Sequence, residues 1–444
     1  MRPARIVFYG NFGAGNLGNE VTLQTAIEQT LLCLPRAALL CVCTNPQDVR
    51  IRHGIEAIPC LSRDPDWSWS DIDANPSGNV KREAVTGGDD PAGRSRFLRG
   101  GLARLARIAF QRVPRELAHW YRMLRVMARS DLFLVPGTGI VTDAACGSLG
   151  WPYDMFKLTV LARFCGKRVV FLSVGAGPFR HRFGRWLIRR SLGLAHYRSY
   201  RDLDSKRRLE AIGFDTRHDA VYPDLVFGLS NARLAGRTDT QRPPIVALGL
   251  KDYAAPVAAA DAQGYRGYLG AMADFVTSLQ AQGYAVRLII GDAQYDTRVR
   301  EDLIALLTAR GAVAKAPLLL SDPVPTVEEL LRQLRETEAV ISPRFHNLVL
   351  ALLLNKPVIA LSDLPKVTAL LVDLGLERFC LALEGLETEQ LTSRFRQLQN
   401  ETAELKPYIR DAVERYRHSV EDQYARVYSG VAHAARQVGQ PASK

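Results

Sequence analysis

The residues of this 444-residue chain best placed to do chemistry are arginines, one histidine and glycines, all at the ends of apolar runs. The most informative stretch is Ala339-Val-Ile-Ser-Pro-Arg-Phe-His-Asn347. Its apolar half predicts a strand ending at Ser342, and a helix opens at about Phe345. Arg344 and His346 then stand at a strand's carboxyl end and a helix's amino end. The N–H groups of such an end favour an anion and disfavour a protonated imidazole. A lone histidine is usually structural, but one set there beside an arginine is poorly suited to a core. An unperturbed pKa near ~6.5 would let His346 give or take a proton at neutral pH. Arg201 follows another apolar-to-polar switch, in Tyr200-Arg-Asp-Leu-Asp-Ser205. The bland reading of Arg201 and Asp202 is a surface ion pair worth little. The functional reading is a guanidinium that clamps a carboxylate or phosphate.

Three glycine-rich turns also close predicted strands: GNFGAGNLGNE at 10–20, PGTGIVTD at 136–143 and SVGAGP at 173–178. In the first, Gly13, Gly15 and Gly18 match GxGxxG between a strand and a helix, the setting of a dinucleotide site. The carboxylate expected at the end of the second strand is missing, since that strand ends Cys43-Thr44-Asn45. NAD and FAD are therefore discounted. What survives is open backbone and helix N–H groups aimed at a ligand. Singly, each segment is an ordinary turn; together they suggest the rim of one crevice. The cleft-lining candidates are Gly13, Gly15, Asn16, Gly18, Glu20, Gly137, Gly139, Asp143, Gly175, Gly177, Asp292 and Lys366.

The elements that must position these residues follow a rhythm of apolar run, glycine turn and helical pattern. Strands are expected at 6–9, 38–43, 132–136 and 168–174, with a helix over 20–32. Alternating strands and helices imply a parallel, doubly wound sheet. The polar stretch NARLAGRTDTQRPP, 231–244, reads as a linker. Beyond it the rhythm restarts, with strands at 245–250, 285–290, 339–342 and 357–361. The expected architecture is α/β, two Rossmann-like domains over 1–230 and 245–385 facing a cleft. A helical segment over 386–444 could pack back across the first domain. Ligands in such sheets bind beyond the carboxyl ends of the strands.

One insertion, at about 62–130, breaks the rhythm. Residues 62–95 read as a long polar loop, and 97–129 as a strongly basic helix. Its functional reading is an interfacial helix on anionic lipid. The preferred reading is a surface helix with a solvated arginine face. The formal charge of +12 attracts anions without choosing among nucleic acid, lipid and phosphorylated metabolites. A nucleic-acid role is disfavoured, because no known module is visible and few aromatics interleave the basic run. Seven cysteines without a CxxC pair read as buried thiols, and no cluster of metal ligands stands out. No apolar run reaches the ~18 residues of a membrane span. A cytoplasmic protein is the expectation, with peripheral contact at the inner membrane face left open.

The stretch SPRFHNLVLALLLNKPVIALSDLPKVTALLVDLGL resembles the C-terminal signature of the polysaccharide pyruvyl transferase family. GNFGAGNLGNE resembles that family's N-terminal turn, and PGTGIVTD, VGAGP and YRDLDS sit in matching order. The family's turn more often ends Gly-Asp-Glu where this chain has Gly18-Asn19-Glu20. Its second segment is often a run of glycines where this chain has Pro136 and Thr138. The resemblance implies a GT-B-like pair of domains and transfer of pyruvyl from phosphoenolpyruvate to two sugar hydroxyls, giving a ketal. It implies His346 as acid/base, Arg344, Phe345 and Arg201 at the donor, and no cofactor or metal. The acceptor would be a glycan or lipid-linked sugar. Two alternatives stand beside it: a GT-B glycosyltransferase using a nucleotide sugar, and a non-catalytic partner in glycan assembly.

Overall fold

The computed structural model describes residues 3–60, 113–236, 243–252, 262–293, 295–311, 318–362 and 364–437. The loop expected at 62–95 and the first part of the basic helix lie outside them.

The first domain runs β1 (Arg5–Gly10), α1 (Leu17–Cys33), β2 (Ala38–Cys43), α2 (Pro46–His53) and β3 (Glu56–Pro59). It continues with helix α3 (113–129), β4 (Leu132–Pro136), α4 (Trp151–Phe164), β5 (Arg168–Val174), α5 (Arg182–Gly193), β6 (Tyr197–Tyr200), α6 (Leu203–Ala211) and β7 (Ala220–Val221). A 3-10 turn (Leu225–Gly228) and the short α7 (Asn231–Leu234) lead out of it. The second domain runs β8 (Ile245–Leu250), α8 (Ala262–Ala281), β9 (Ala285–Ile290), α9 (Asp296–Ala309), β10 (Leu319–Leu320) and α10 (Val327–Arg335). Then come β11 (Ala339–Ser342), α11 (Phe345–Leu353), β12 (Val358–Leu361), α12 (Pro365–Asp373), β13 (Cys380–Leu381) and the long α13 (Thr388–Gln437).

Both sheets are parallel, and both have the doubly wound order. The first is β3-β2-β1-β4-β5-β6-β7 and the second β10-β9-β8-β11-β12-β13. In each, the chain reverses direction across the sheet between its first and fourth strands, β1/β4 and β8/β11. A crevice opens at the carboxyl ends of that pair. β1 shows why the sheets are buried on both faces. Ile6 and Phe8 join one core, while Val7 and Tyr9 join another beneath α3, α4 and α5.

The first of these cores continues into the second domain, and α13 closes it. Early in α13, Phe395 packs edge-on against Phe275 of α8, with ring centroids 5.9 Å apart. Late in α13, the Tyr428 hydroxyl lies 2.6 Å from Thr30 Oγ1 of α1. Nearby, Gln423 accepts from Ser173 Oγ at 3.0 Å and donates to Ser199 Oγ at 2.7 Å. The C-terminal helix thus packs across the first domain and fastens it to the second. The stretch expected as a linker begins with the short helix α7, and part of it, 237–242, lies outside the described residues. Of the basic segment, 113–129 is helical and turns Met123 and Met127 into the first domain's core.

Candidate active site

β11 is Ala339-Val-Ile-Ser, wholly buried, and it ends where Ser342 Oγ accepts the Arg344 N–H at 3.1 Å. α11 follows, and among its nine residues only His346 is not buried. A helix apolar all round belongs in a core. Its first turn therefore meets the cleft with free N–H groups and two polar side chains, the partly exposed His346 and the buried Asn347.

His346 sits against the first domain. A Cβ added at Gly18 would lie 2.0 Å from His346 Nδ1, so a glycine there makes room for the imidazole. Facing His346 Nε2 at 3.8 Å is Asp224 Oδ2, and Arg201 Nη1 lies 3.5 Å from that same oxygen. Arg201 is only 9% exposed, so it is no surface pair with Asp202, whose Oδ2 is 3.5 Å from Arg201 Nε. It lies over the third glycine turn, where a Cβ at Gly175 would come within 2.5 Å of its guanidinium. Gly139 of the second turn stands 3.9 Å from the same group, measured from its would-be Cβ. The three glycine turns do open on one place.

Phe345 joins the cationic groups. The Arg201 guanidinium carbon and Lys366 Nζ each lie 5.5 Å from its ring centroid. Arg201, Asp224, Phe345 and Lys366 share a cavity of about 160 Å³ with Tyr222 and Tyr416. Three buried polar atoms in this cluster make no hydrogen bond among the described residues: Arg201 Nε, Asp224 Oδ2 and His346 Nε2. Buried polar groups normally make hydrogen bonds, and several gathered together with only long ion pairs invite a polar ligand.

The site's electrostatics follow from burial among cations. Desolvation, then Lys366 and Arg201, hold the His346 pKa well below its ordinary value. Desolvation, with Arg201 next, brings the Lys366 ammonium down to about 7, Asp224 opposing the fall. Burial raises the Asp224 carboxyl, with Arg201 the main opposing influence. The expectation of a histidine that works both ways at neutral pH is thus corrected. In the free protein the imidazole is neutral, and Lys366 is the group poised near neutrality.

Arg344 is placed differently. Its Nε donates to Asp296 Oδ2 at 2.8 Å and its Nη2 to Asp296 Oδ1, leaving Nη1. Asp296 also accepts from the N–H groups of Gly291, Asp292 and Asp252 at 3.2, 3.0 and 3.1 Å. That loop is the second domain's half of a cross-cleft bridge. Asn16 Nδ2 donates to Asp292 Oδ2 at 2.9 Å, Leu17 N–H to Gly291 O at 3.1 Å, and Ala293 N–H to Gly15 O at 3.2 Å. Burial raises the Asp292 pKa.

Several candidates turn away from the cavity. Glu20 is buried, accepting from Gly13 N–H at 2.8 Å and lying 3.0 Å from His53 Nε2. Asp143 accepts from the N–H groups of Arg180 and His181 at 2.6 and 2.8 Å, ahead of α5. Gly13 packs on Asn45, Gly137 on Leu225 and Thr22, and Gly177 on Arg208. Asp224 was not singled out from sequence. Its only signal there is local: it follows Tyr222-Pro223, and its Oδ1 caps the 3-10 turn by accepting Val226 N–H at 3.0 Å. A larger cavity of about 730 Å³ lies where α1, α7 and α10 meet. Its arginines are already engaged, Arg233 by Glu28 and Glu328 and Arg335 by main-chain carbonyls, so it offers less chemistry.

The chain resembles solved structures over its whole length. A Listeria monocytogenes protein assigned as a UDP-N-acetylglucosamine 2-epimerase aligns with TM-score 0.58 at 12% identity, covering 100% of both chains. HepE of Anabaena, solved with UDP and glucose, aligns with TM-score 0.56 at 10% identity, covering 96% of this chain and 99% of its own. The Neisseria meningitidis UDP-GlcNAc 2-epimerase bound to UDP-GlcNAc aligns with TM-score 0.52 at 12% identity, over 97% and 100%. Likeness at this identity speaks to the fold alone, two Rossmann-like domains facing a cleft in the GT-B manner. No curated protein matches the sequence. The family described as polysaccharide pyruvyl transferase matches residues 28–363.

Proposed function

The chain belongs to the polysaccharide pyruvyl transferase family, a family of transferases, and on that premise we propose that it moves pyruvyl from phosphoenolpyruvate to two hydroxyls of one sugar. The sugar belongs to a polysaccharide or to its lipid-linked precursor, and the product is a cyclic ketal. One observation carries the reading: Arg201, Asp224 and His346, held to one another only by long ion pairs and each with a buried atom lacking a hydrogen bond among the described residues, converge beside Lys366. Phosphoenolpyruvate presents a carboxylate and a phosphate, which Arg201 and Lys366 are suited to hold.

The residues divide the proton work. One acceptor hydroxyl adds to C2 of the donor and gives its proton to the neutral imidazole of His346. C3 takes a proton from the Lys366 ammonium and becomes a methyl group. The second hydroxyl then attacks C2, and the bond from C2 to the phosphate oxygen breaks. Inorganic phosphate leaves with the electron pair, and the second hydroxyl's proton goes to solvent or to Lys366. Asp224, behind His346 Nε2, steadies the imidazolium that forms. Bound donor charge also raises the Lys366 pKa and keeps the acid protonated. Arg344 supports this arrangement through Asp296, with Nη1 left to reach the donor.

The test is calorimetry with phosphoenolpyruvate and with a panel of UDP-sugars, on wild type and Arg201→Ala. Saturable binding of phosphoenolpyruvate that Arg201→Ala abolishes supports the reading. A product heavier by pyruvate less one water, formed with release of phosphate, completes it. Binding of a UDP-sugar alone would move the chain to nucleotide-sugar chemistry. Silence toward both, with acceptor present, would favour a non-catalytic role.

A further inference from the structure

Among the described residues, three helices on the outside of the first domain carry many arginines, exposed aromatic rings and few acids. α3, α4 and α5 lie side by side over one core. Trp120 Nε1 of α3 donates to Tyr153 OH of α4 at 3.0 Å, and Phe156 of α4 meets Trp186 of α5 at 5.6 Å between centroids. These three helices hold nine arginines and only two carboxylates, Glu116 and Asp154. Both carboxylates are bonded to the buried Lys157 ammonium, at 2.9 and 3.0 Å. Among the described residues of these three helices, arginine therefore far outnumbers carboxylate, and α5 itself holds four arginines and no carboxylate.

α5 supplies the apolar part. Gly184, Leu187, Ile188, Ser191 and Leu192 face the core. The opposite side shows Phe183, 52% exposed, and Trp186, 45% exposed, stacked 5.9 Å apart at 8°. Arg190 caps the Trp186 ring at 5.8 Å, and Arg182 and Arg189 are exposed on the same helix. Water is a poor solvent for two adjacent rings, and arginine beside an aromatic ledge suits the headgroup layer of a bilayer. The place in the fold matters as well. α5 begins after the third glycine turn, and Asp143 ties the residues just before it, Arg180 and His181, to the loop after β4. The ledge therefore starts at the cleft's rim.

We propose that this face, led by Phe183, Trp186 and the arginines of α5, docks the protein on an anionic lipid bilayer, with the cleft mouth beside the membrane. The occupant follows from charge: the exposed arginines of α5, a helix without a carboxylate, match a surface of anionic headgroups, and the stacked rings match its apolar boundary. This extends the membrane contact considered for the 97–129 segment to a face that includes its described part, α3, and is led by α5. It does not depend on which donor the cleft uses. Among the described residues no helix is long and apolar enough to cross a membrane, so the contact is peripheral.

The test is co-sedimentation of the full chain with vesicles of phosphatidylcholine alone or mixed with phosphatidylglycerol, at low and high salt. Wild type is expected to sediment with the mixed vesicles, less so as salt rises. Phe183→Ser with Trp186→Ser is expected to lower the partition coefficient roughly tenfold or more. Arg182→Glu with Arg189→Glu should abolish partitioning. All of these positions are exposed, so melting temperature and calorimetric phosphoenolpyruvate binding should match wild type. Equal sedimentation with neutral vesicles, none with either, or unchanged binding by the aromatic variant would overturn the proposal. So would displacement from vesicles by RNA at equal charge, which would mean an unspecific polyanion surface. Failure to bind phosphoenolpyruvate while vesicles still bind would sink the donor assignment alone.

Discussion

Lys366 shows what the site costs the fold. Its ammonium, enclosed near Arg201 and Phe345, has a pKa brought down to about 7, against 10.5 for an ordinary lysine. Between those values the unfolded chain holds the proton and the folded chain does not. Wild-type stability on account of this group therefore rises with pH across that window. Lys366→Met should raise the melting temperature by several degrees below pH 7, and the gain should fade toward pH 10. The same variant should lose phosphoenolpyruvate binding in calorimetry. In wild type, an anionic donor favours the protonated lysine. Affinity should be flat just below pH 7 and fall by up to roughly tenfold per pH unit above it. A flat profile from pH 6.5 to 9 would remove Lys366 from the donor site.

At the scale of elements, the site depends on strand-to-helix turns that bring backbone to within van der Waals reach of a side chain across the cleft. Gly18, early in α1, is the sharpest case, because a methyl group there would overlap the His346 imidazole. In an ordinary helix Gly→Ala is favourable by about 1 kcal/mol. Gly18→Ala should therefore leave the melting temperature nearly unchanged and lower turnover by roughly a hundredfold, as a displaced base would. In a His346→Ala background the same change should cost nothing further. An additive loss would mean that Gly18 acts on something other than the imidazole.

At the scale of the whole molecule, α13 decides whether the two domains keep one cleft. Tyr424 is fully buried late in that helix, stacked on Tyr428 at 6.1 Å. Tyr424→Ala should cost about 3–5 kcal/mol of stability, by the cavity it leaves. In hydrogen exchange, the loss of protection should spread to the Gly15–Leu17 and Gly291–Ala293 backbone that bridges the cleft. A destabilisation confined to α13 would show that the bridge holds without it.

Much of this was legible from sequence, because parallel sheets write themselves plainly. β1, β4, β5, β8, β9 and β11 are short apolar runs, and all but β8 end in glycine, serine or proline turns, so the two-domain α/β layout and the strand-end positions of Arg201 and His346 could be read directly. Edge strands β7, β10 and β13 are two residues each and leave no such pattern. The site's partnerships were not legible either. Asp224 reads as a local cap, yet it lies 3.8 Å from a histidine 122 positions on. Arg344 and Lys366 look alike as cations by a strand end, but one is held by Asp296 and the other is left among cations with a lowered pKa. Periodicity is a local property that solvent and backbone geometry impose on neighbouring residues. Pairing and pKa depend on which distant groups share a desolvated volume, and that volume exists only once both sheets and α13 have packed.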